Sequence, residues 1–368
     1  MYILILIIGI LIVSVLINKF IWHAKITITE MLINLCVIIL VLLAFWFASY
    51  FNQIKDTEVL NAQVLSKQRQ TSACLHSYPC RCHTVCSGRG RSRVCSPRCS
   101  VCFLHPFDFN YQVKTNLKDF VISNLDPQGL IEPPTFKNIK ISDGVAVLSS
   151  FDNYIKASST SILSQQLSLS KEELALMPTY QINIYDYNKL DRVIDKDKIL
   201  SPQELKNAND YLTLTLGSVG FAKQANAIIL LTQNNEEYAL KLINHWYGGK
   251  KNDVIVVIGL DNKKQINYVR IHSWSLHNIF DVVLRDDIKK LKMLNITAVI
   301  DAIKDNLSKQ YVRRSFKEFE YLKWRVMPSQ LSIVAFTIIC LGLSFALGYW
   351  LSREHINISL RNFFTNNR

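Results

Sequence analysis

Residues 225–232 read ANAIILLT and residues 253–260 read DVIVVIGL, two unbroken apolar runs of strand length. A strand with one face in water alternates polar and apolar side chains, whereas one that is apolar throughout needs cover on both faces. Between the runs, Tyr238, Leu242 and Trp246 recur at four-residue spacing with Ala239 and Ile243 beside them, the stripe of an amphipathic helix over 236–246. Upstream, Ser201-Pro202-Gln203-Glu204 is an N-cap with proline at the first helical position, and Leu205, Ala208 and Leu212 supply the apolar face. Downstream, 266–271 reads as a third strand, and 281–294 and 298–312 as two more helices. The order helix, strand, helix, strand, strand, helix, helix predicts an α/β domain with helices on a small mixed sheet.

Working outward, FDFNYQVKT from Phe107 alternates in places and stops at the turn signal Asp126-Pro127-Gln128-Gly129. Residues 137–148 read as strand, turn at Asp143-Gly144, strand, so a small β-rich unit is expected over 107–148. A serine-rich loop or short helix at 158–170 and a short strand at 181–185 complete a connector to residue 198.

Three apolar stretches frame this body. Hydrophobic residues make up 49% of the 368 and charged residues 19%, which excludes a disordered chain and argues against an ordinary soluble globule. Residues 2–18, 31–51 and 331–351 are read as membrane spans; the last two end in aromatic belts, Trp46-Phe47 with Tyr50-Phe51, and Tyr349-Trp350. The first lacks the basic n-region and small-residue cleavage site of a signal peptide. The resulting division is 1–51 for two spans, 52–72 linker, 73–106 cysteine-rich module, 107–198 β-rich segment and connector, and 199–312 α/β domain. A basic juxtamembrane helix at 313–330, the third span at 331–351 and a tail at 352–368 follow. Lys19 and Lys25 in the first link place the large domain outside the cytoplasm by the positive-inside rule; Arg313-Arg314, Lys317, Lys323 and Arg325 pull the other way. The outside placement is the one adopted, giving a multi-pass protein of the inner or plasma membrane.

Seven of the nine cysteines lie between Cys74 and Cys102. This segment has few apolar residues, so cross-links must hold it. Three disulfides would leave one cysteine over. Two tetrahedral zinc sites need eight ligands, and Cys74, Cys80, Cys82, Cys86, Cys95, Cys99 and Cys102 with His105 supply them. Zinc is therefore the expected cofactor, with disulfides the competitor if the module lies outside the cytoplasm. The net charge of +13 favours anionic partners, and Arg81, Arg89, Arg91, Arg93 and Arg98 fall in this module. Aromatic residues there are sparse, Tyr78 and Phe103, so nucleic acid is not expected as a partner.

Residues 199–312 resemble the TPM domain family. The resemblance rests on Leu200-Ser201-Pro202-Gln203-Glu204 opening the first helix, Glu237-Tyr238-Ala239 in the second, Trp246 followed by Gly248-Gly249-Lys250-Lys251-Asn252-Asp253, and the strand Val254 to Ile258. It implies a module beside a transmembrane helix and outside the cytoplasm. It also brings the phosphatase activity and calcium binding ascribed to some members. The family's glycine-rich segment after the third strand is replaced here by Ile271-His272-Ser273-Trp274-Ser275-Leu276-His277, which weakens both. The expected function is an integral membrane protein presenting this domain and a zinc-binding knob to a membrane or envelope protein, with the lipid bilayer as its other partner. The alternative is a membrane-anchored metal-dependent phosphohydrolase, for which His277, Asp281 and Asp286 are the candidates, His277 and Asp281 sharing a face if 274–281 turns into a helix.

Overall fold

The computed structural model describes residues 9–10, 12–14, 16–17, 20–21, 26–87, 94–158, 160, 170–185 and 189–354. Six α-helices of ten or more residues are present among them: α1 (Ile28–Ile54), α2 (Pro202–Thr215), α3 (Glu236–His245), α4 (Ile279–Lys289), α5 (Ile296–Gln310) and α6 (Gln330–Glu354). The chain divides into two units. One comprises Met1–Asp56, Phe151–Gln165 and Phe316–Arg368, the other Thr57–Ser150 and Gln166–Ser315.

The first unit contains α1 and α6, the two helices among the described residues that are long and apolar enough to cross a membrane. Three were expected. The span read over 2–18 lies largely outside the described residues, so two candidates stand. At 27 residues, α1 is about 40 Å long, sufficient for a hydrocarbon core. Its start is a capping box: Thr27 Oγ1 accepts from Glu30 N at 3.3 Å, and the Glu30 carboxylate accepts from Thr27 N at 2.7 Å. The two helices touch through Phe45 stacked on Phe336 at 3.7 Å between ring centroids. Asn34 Nδ2 donates to the Ser344 carbonyl at 3.0 Å, an interhelical bond of the kind that fixes helix pairs in lipid. The expected basic helix before α6 is a 3-10 helix over Phe316–Arg325 that buries Phe316 and Leu322.

Among its described residues the second unit holds two four-stranded sheets and a two-stranded ribbon. The strands are β1 (Lys55–Ser72), β2 (Ser77–Ser87), β3 (Val94–Phe103), β4 (Asp108–Thr115), β5 (Phe120–Ile122), β6 (Gly144–Asp152), β7 (Val193–Asp195), β8 (Asn226–Thr232), β9 (Asp253–Leu260) and β10 (Ile266–Ser273). The first sheet runs β5-β4-β1-β6 around Val64, Tyr111, Val113, Ile122, Phe136 and Val145. Its interior strand β1 occupies what was expected to be the linker at 52–72. The linker reading failed because β1 buries polar side chains, Glu58 and Asn61, which interrupt its apolar pattern. The strand expected at the start of 137–148 is also replaced: Pro134–Asn138 is a short helix begun by proline, and only β6 follows the turn.

The second sheet runs β10-β9-β8-β7, with β7, β8 and β9 parallel and β10 antiparallel at the edge. Every residue of β8 and β9 is buried, as unbroken apolar runs require. Leu212 of α2, Phe280 and Leu284 of α4 and Ile303 of α5 pack in one apolar cluster with Ile229, Val256 and Ile258. Leu242, Ile243 and Trp246 pack in a second with Ile228, Leu230, Ile255 and Val257, so alternate residues of each strand face different layers. The opposite edge is β7, Val193–Asp195; no strand forms at 181–185, where Tyr185 makes an isolated bridge to Lys189.

Candidate metal centre

The ribbon β2–β3 overturns the eight-ligand zinc expectation. Its antiparallel register sets Cys86 opposite Cys95, and it shifts between Cys80 and His83, where Arg81 turns into the left-handed region at φ 45°. Cys80–Cys102, Cys82–Cys99 and Cys86–Cys95 are disulfides, with Cα atoms 5.7, 3.9 and 3.9 Å apart. Thiols paired across neighbouring strands meet two by two, which suits a covalent bond and leaves no fourfold convergence for an ion. Six of the proposed zinc ligands are thereby removed, and with them the zinc-binding knob as a reading of this segment's function. The odd cysteine is Cys74, which lies before the ribbon and is free and buried.

Cys74 and His105 do come together, with two residues outside the expected set. Cys74 and His76 occupy the connection from β1 to β2, and His105 the connection from β3 to β4. The β1–β4 register places Ser72 opposite Asp108, so both connections leave the sheet at one point. Leu104 N closes them with a bond to the His76 carbonyl at 3.0 Å. The ligand atoms of Cys74, His76, His105 and Asp108 lie within 4.8 Å of one another. Cys74 Sγ is 3.5 Å from His105 Nδ1 and 3.9 Å from His76 Nδ1. Asp108 Oδ1 is 3.0 Å from His105 Nδ1, and its Oδ2 is 3.3 Å from His76 Nδ1. Four ligands at zinc's usual bond lengths around a tetrahedron sit about 3.3–3.6 Å apart, so the donors, spread over up to 4.8 Å, would draw in by about an ångström to hold such an ion.

Burial raises the Asp108 carboxyl, but the bond from Leu75 N at 3.1 Å, with His105, Cys74 and His76 beside it, brings it below its ordinary value. Cys74 and Asp108 are buried, whereas the His76 side chain is 43% exposed, so the centre is open on one side. A cleft of about 450 Å³ lined by Ala73, Cys74, Phe103, Leu104, His105 and Pro106 opens beside it.

The other candidates are dispersed. His277 Nδ1 lies 3.1 Å from the Gln310 carbonyl. Asp281, raised by burial, accepts from Ser273 Oγ at 2.5 Å and Ser273 N at 3.1 Å. Asp286 pairs with Arg285 at 2.8 Å. Each is engaged locally, and no bond joins one to another. The signal for the centre was present as two short pairs, Cys74-x-His76 and His105-x2-Asp108, flanking the cysteine-rich text. Compared with known proteins, the chain matches no family model and no curated protein.

Proposed function

We propose that the protein is a membrane-anchored, metal-dependent hydrolase acting on phosphate esters, with zinc held by Cys74, His76, His105 and Asp108. The observation that carries this reading is the convergence of four donors beside an open cleft. A thiolate with two imidazoles selects zinc over calcium or magnesium, which take oxygen ligands. Bound there, zinc would supply Lewis acidity to a substrate oxygen and to water. The chain's own contribution is positional. Buried Cys74 and Asp108 form the dry side, His76 leaves the opposite side accessible, and the cleft offers a substrate room against Phe103 and Leu104. Phosphate esters are favoured because no acidic residue other than Asp108 occurs from 59 to 108, while basic residues recur throughout.

The three disulfides support an oxidising, extracytoplasmic location for the body. The helices α1 and α6, which precede and follow it in the chain, support a membrane anchor. We further propose that 199–312 is a TPM-like domain, a reading supported by the order of its helices and strands.

The test is metal analysis and phosphomonoester turnover on the full chain, purified in detergent without reductant. Expected are about one zinc equivalent per chain and turnover that chelator abolishes and zinc restores. Turnover should fall by about 100-fold or more in Asp108→Asn. Zinc bound without turnover would make the centre a structural clasp at the base of the ribbon and end the hydrolase reading. Absence of zinc would end both.

A further inference from the structure

The wall beside the four-donor cluster is apolar and open to solvent. Phe103 and Leu104 stand 57% and 61% exposed, and Ala73 and Pro106 complete the cleft next to Cys74 and His105. Apart from those two donors, no side chain lining the cleft carries a hydrogen-bonding group. At about 450 Å³ the cleft falls within the range of small-molecule sites, roughly 300–1,000 Å³.

The frame of this wall is fixed. Phe103 ends β3 opposite Ser77, and the Cys80–Cys102 bridge ties down the residue before it. Leu104 is held by its own N–H, which donates to the His76 carbonyl at 3.0 Å. Backbone fixed in this way needs no reordering when a ligand covers its side chains. Exposed apolar side chains grouped beside polar chemistry mark a ligand-binding groove.

Such a wall discriminates by what it lacks. The part of a substrate that rests on it gives up water. Glycerol, sugar or peptide groups would leave hydroxyls or amides without partners there, at a cost in free energy. An alkyl or aryl group leaves nothing unpaired and gains burial against Phe103 and Leu104. Cys74 and His105 form the rest of the lining, so a phosphoryl group at the cluster leaves its ester group on the apolar residues.

We propose that the substrate is a phosphate monoester of an apolar alcohol or phenol, with Phe103 and Leu104 as the residues that determine this specificity. The proposal rests on the hydrolase reading of the cluster and adds to it which esters are taken.

The experiment uses the full chain in lipid nanodiscs, loaded with zinc, with empty nanodiscs as the blank. Binding of butylphosphonate, phenylphosphonate and dihydroxybutylphosphonate is followed by phosphorus NMR, beside metal analysis. The two butyl ligands share a carbon skeleton and differ only in their hydroxyls. Butylphosphonate should bind at least about tenfold tighter than its dihydroxy counterpart. Phenylphosphonate should also exceed the dihydroxy ligand, and its rank against butylphosphonate tells an aromatic source from an aliphatic one. Turnover should follow binding, with kcat/KM for butyl phosphate above that for glycerol phosphate by a similar factor. In Phe103→Ser/Leu104→Ser, at unchanged zinc content, both ratios should fall below about three. Equal binding of the matched pair with zinc in place overturns this proposal alone. So does a preference that the double variant keeps, because the ester group would then lie elsewhere. Absence of zinc, or zinc without turnover of any ester, ends the hydrolase reading and this proposal with it.

Discussion

Removing the innermost bridge by Cys86→Ser/Cys95→Ser should loosen the ribbon by an amount that follows from its topology. Taken alone, closures of 9, 17 and 22 residues restrict the unfolded chain by about 2.6, 3.1 and 3.4 kcal/mol. Nesting shortens the free chain that each outer bridge closes, so together they contribute less than about 9 kcal/mol. The ribbon has no buried β2 side chain to oppose opening, so its local stability rests on these closures. With the inner bridge gone the outer bridges close longer free chain, so the net loss is at most about 2.6 kcal/mol, an upper limit of roughly 80-fold faster amide exchange at Val85 and Ser96. Full reduction should open the ribbon entirely, while amides of Ile228 and Val256 in the buried strands keep their protection. Hydrogen exchange followed by mass spectrometry reads both regions in one sample. Thiol counting on unreduced, denatured, metal-free protein should find three reactive cysteines, Cys36, Cys74 and Cys340. Nine reactive thiols, or exchange in the double variant within about threefold of the parent, would mean that the bridges do not hold the ribbon closed.

Arg192→Met should cost about 3–5 kcal/mol in denaturant unfolding, because the buried guanidinium donates to Asn226 Oδ1 at 2.9 Å and Asn61 Oδ1 at 2.8 Å and both would lose a charged donor. A loss below about 1 kcal/mol would mean that water replaces it. Burial pushes His272 down to about 4, from an ordinary value of 6.5, so between those values the unfolded chain binds the extra proton. Its stabilisation is complete above pH 6.5 and is lost as pH falls toward 4, by about 3 kcal/mol; a His272→Phe variant should show a correspondingly flatter acid limb in urea titrations, and an unchanged limb would count against this account. Asn235→Ala removes the side-chain bond accepted from Tyr238 N at 3.1 Å at the start of α3 and should cost about 1 kcal/mol, measured as a shift in the urea midpoint.

The buried sheet was legible in the sequence because its signals are local. ANAIILLT and DVIVVIGL admit no exposed face, and Ser201 with Glu204 forms its capping box within one turn: Ser201 Oγ accepts from Glu204 N at 3.2 Å, and the Glu204 carboxylate accepts from Ser201 N at 2.7 Å. The two long helices were legible for the same reason, through uninterrupted apolar length. β1 was not, since its polar residues become tolerable only through distant partners. Glu58 is buried with Arg313 at 2.7 Å and Lys251 at 3.1 Å, and Asn61 answers Arg192. Cysteine spacing bounded the ligand arithmetic but could not choose between thiolates around an ion and sulfurs bonded in pairs, because that depends on strand register. The four-donor cluster depends on register too. Cys74 and His76 meet His105 and Asp108 only because β1 and β4 align Ser72 with Asp108 while the ribbon returns the chain to its starting point. Short-range periodicity determined which segments are strands and helices; the pairing of strands far apart in the chain decided which donors share a site.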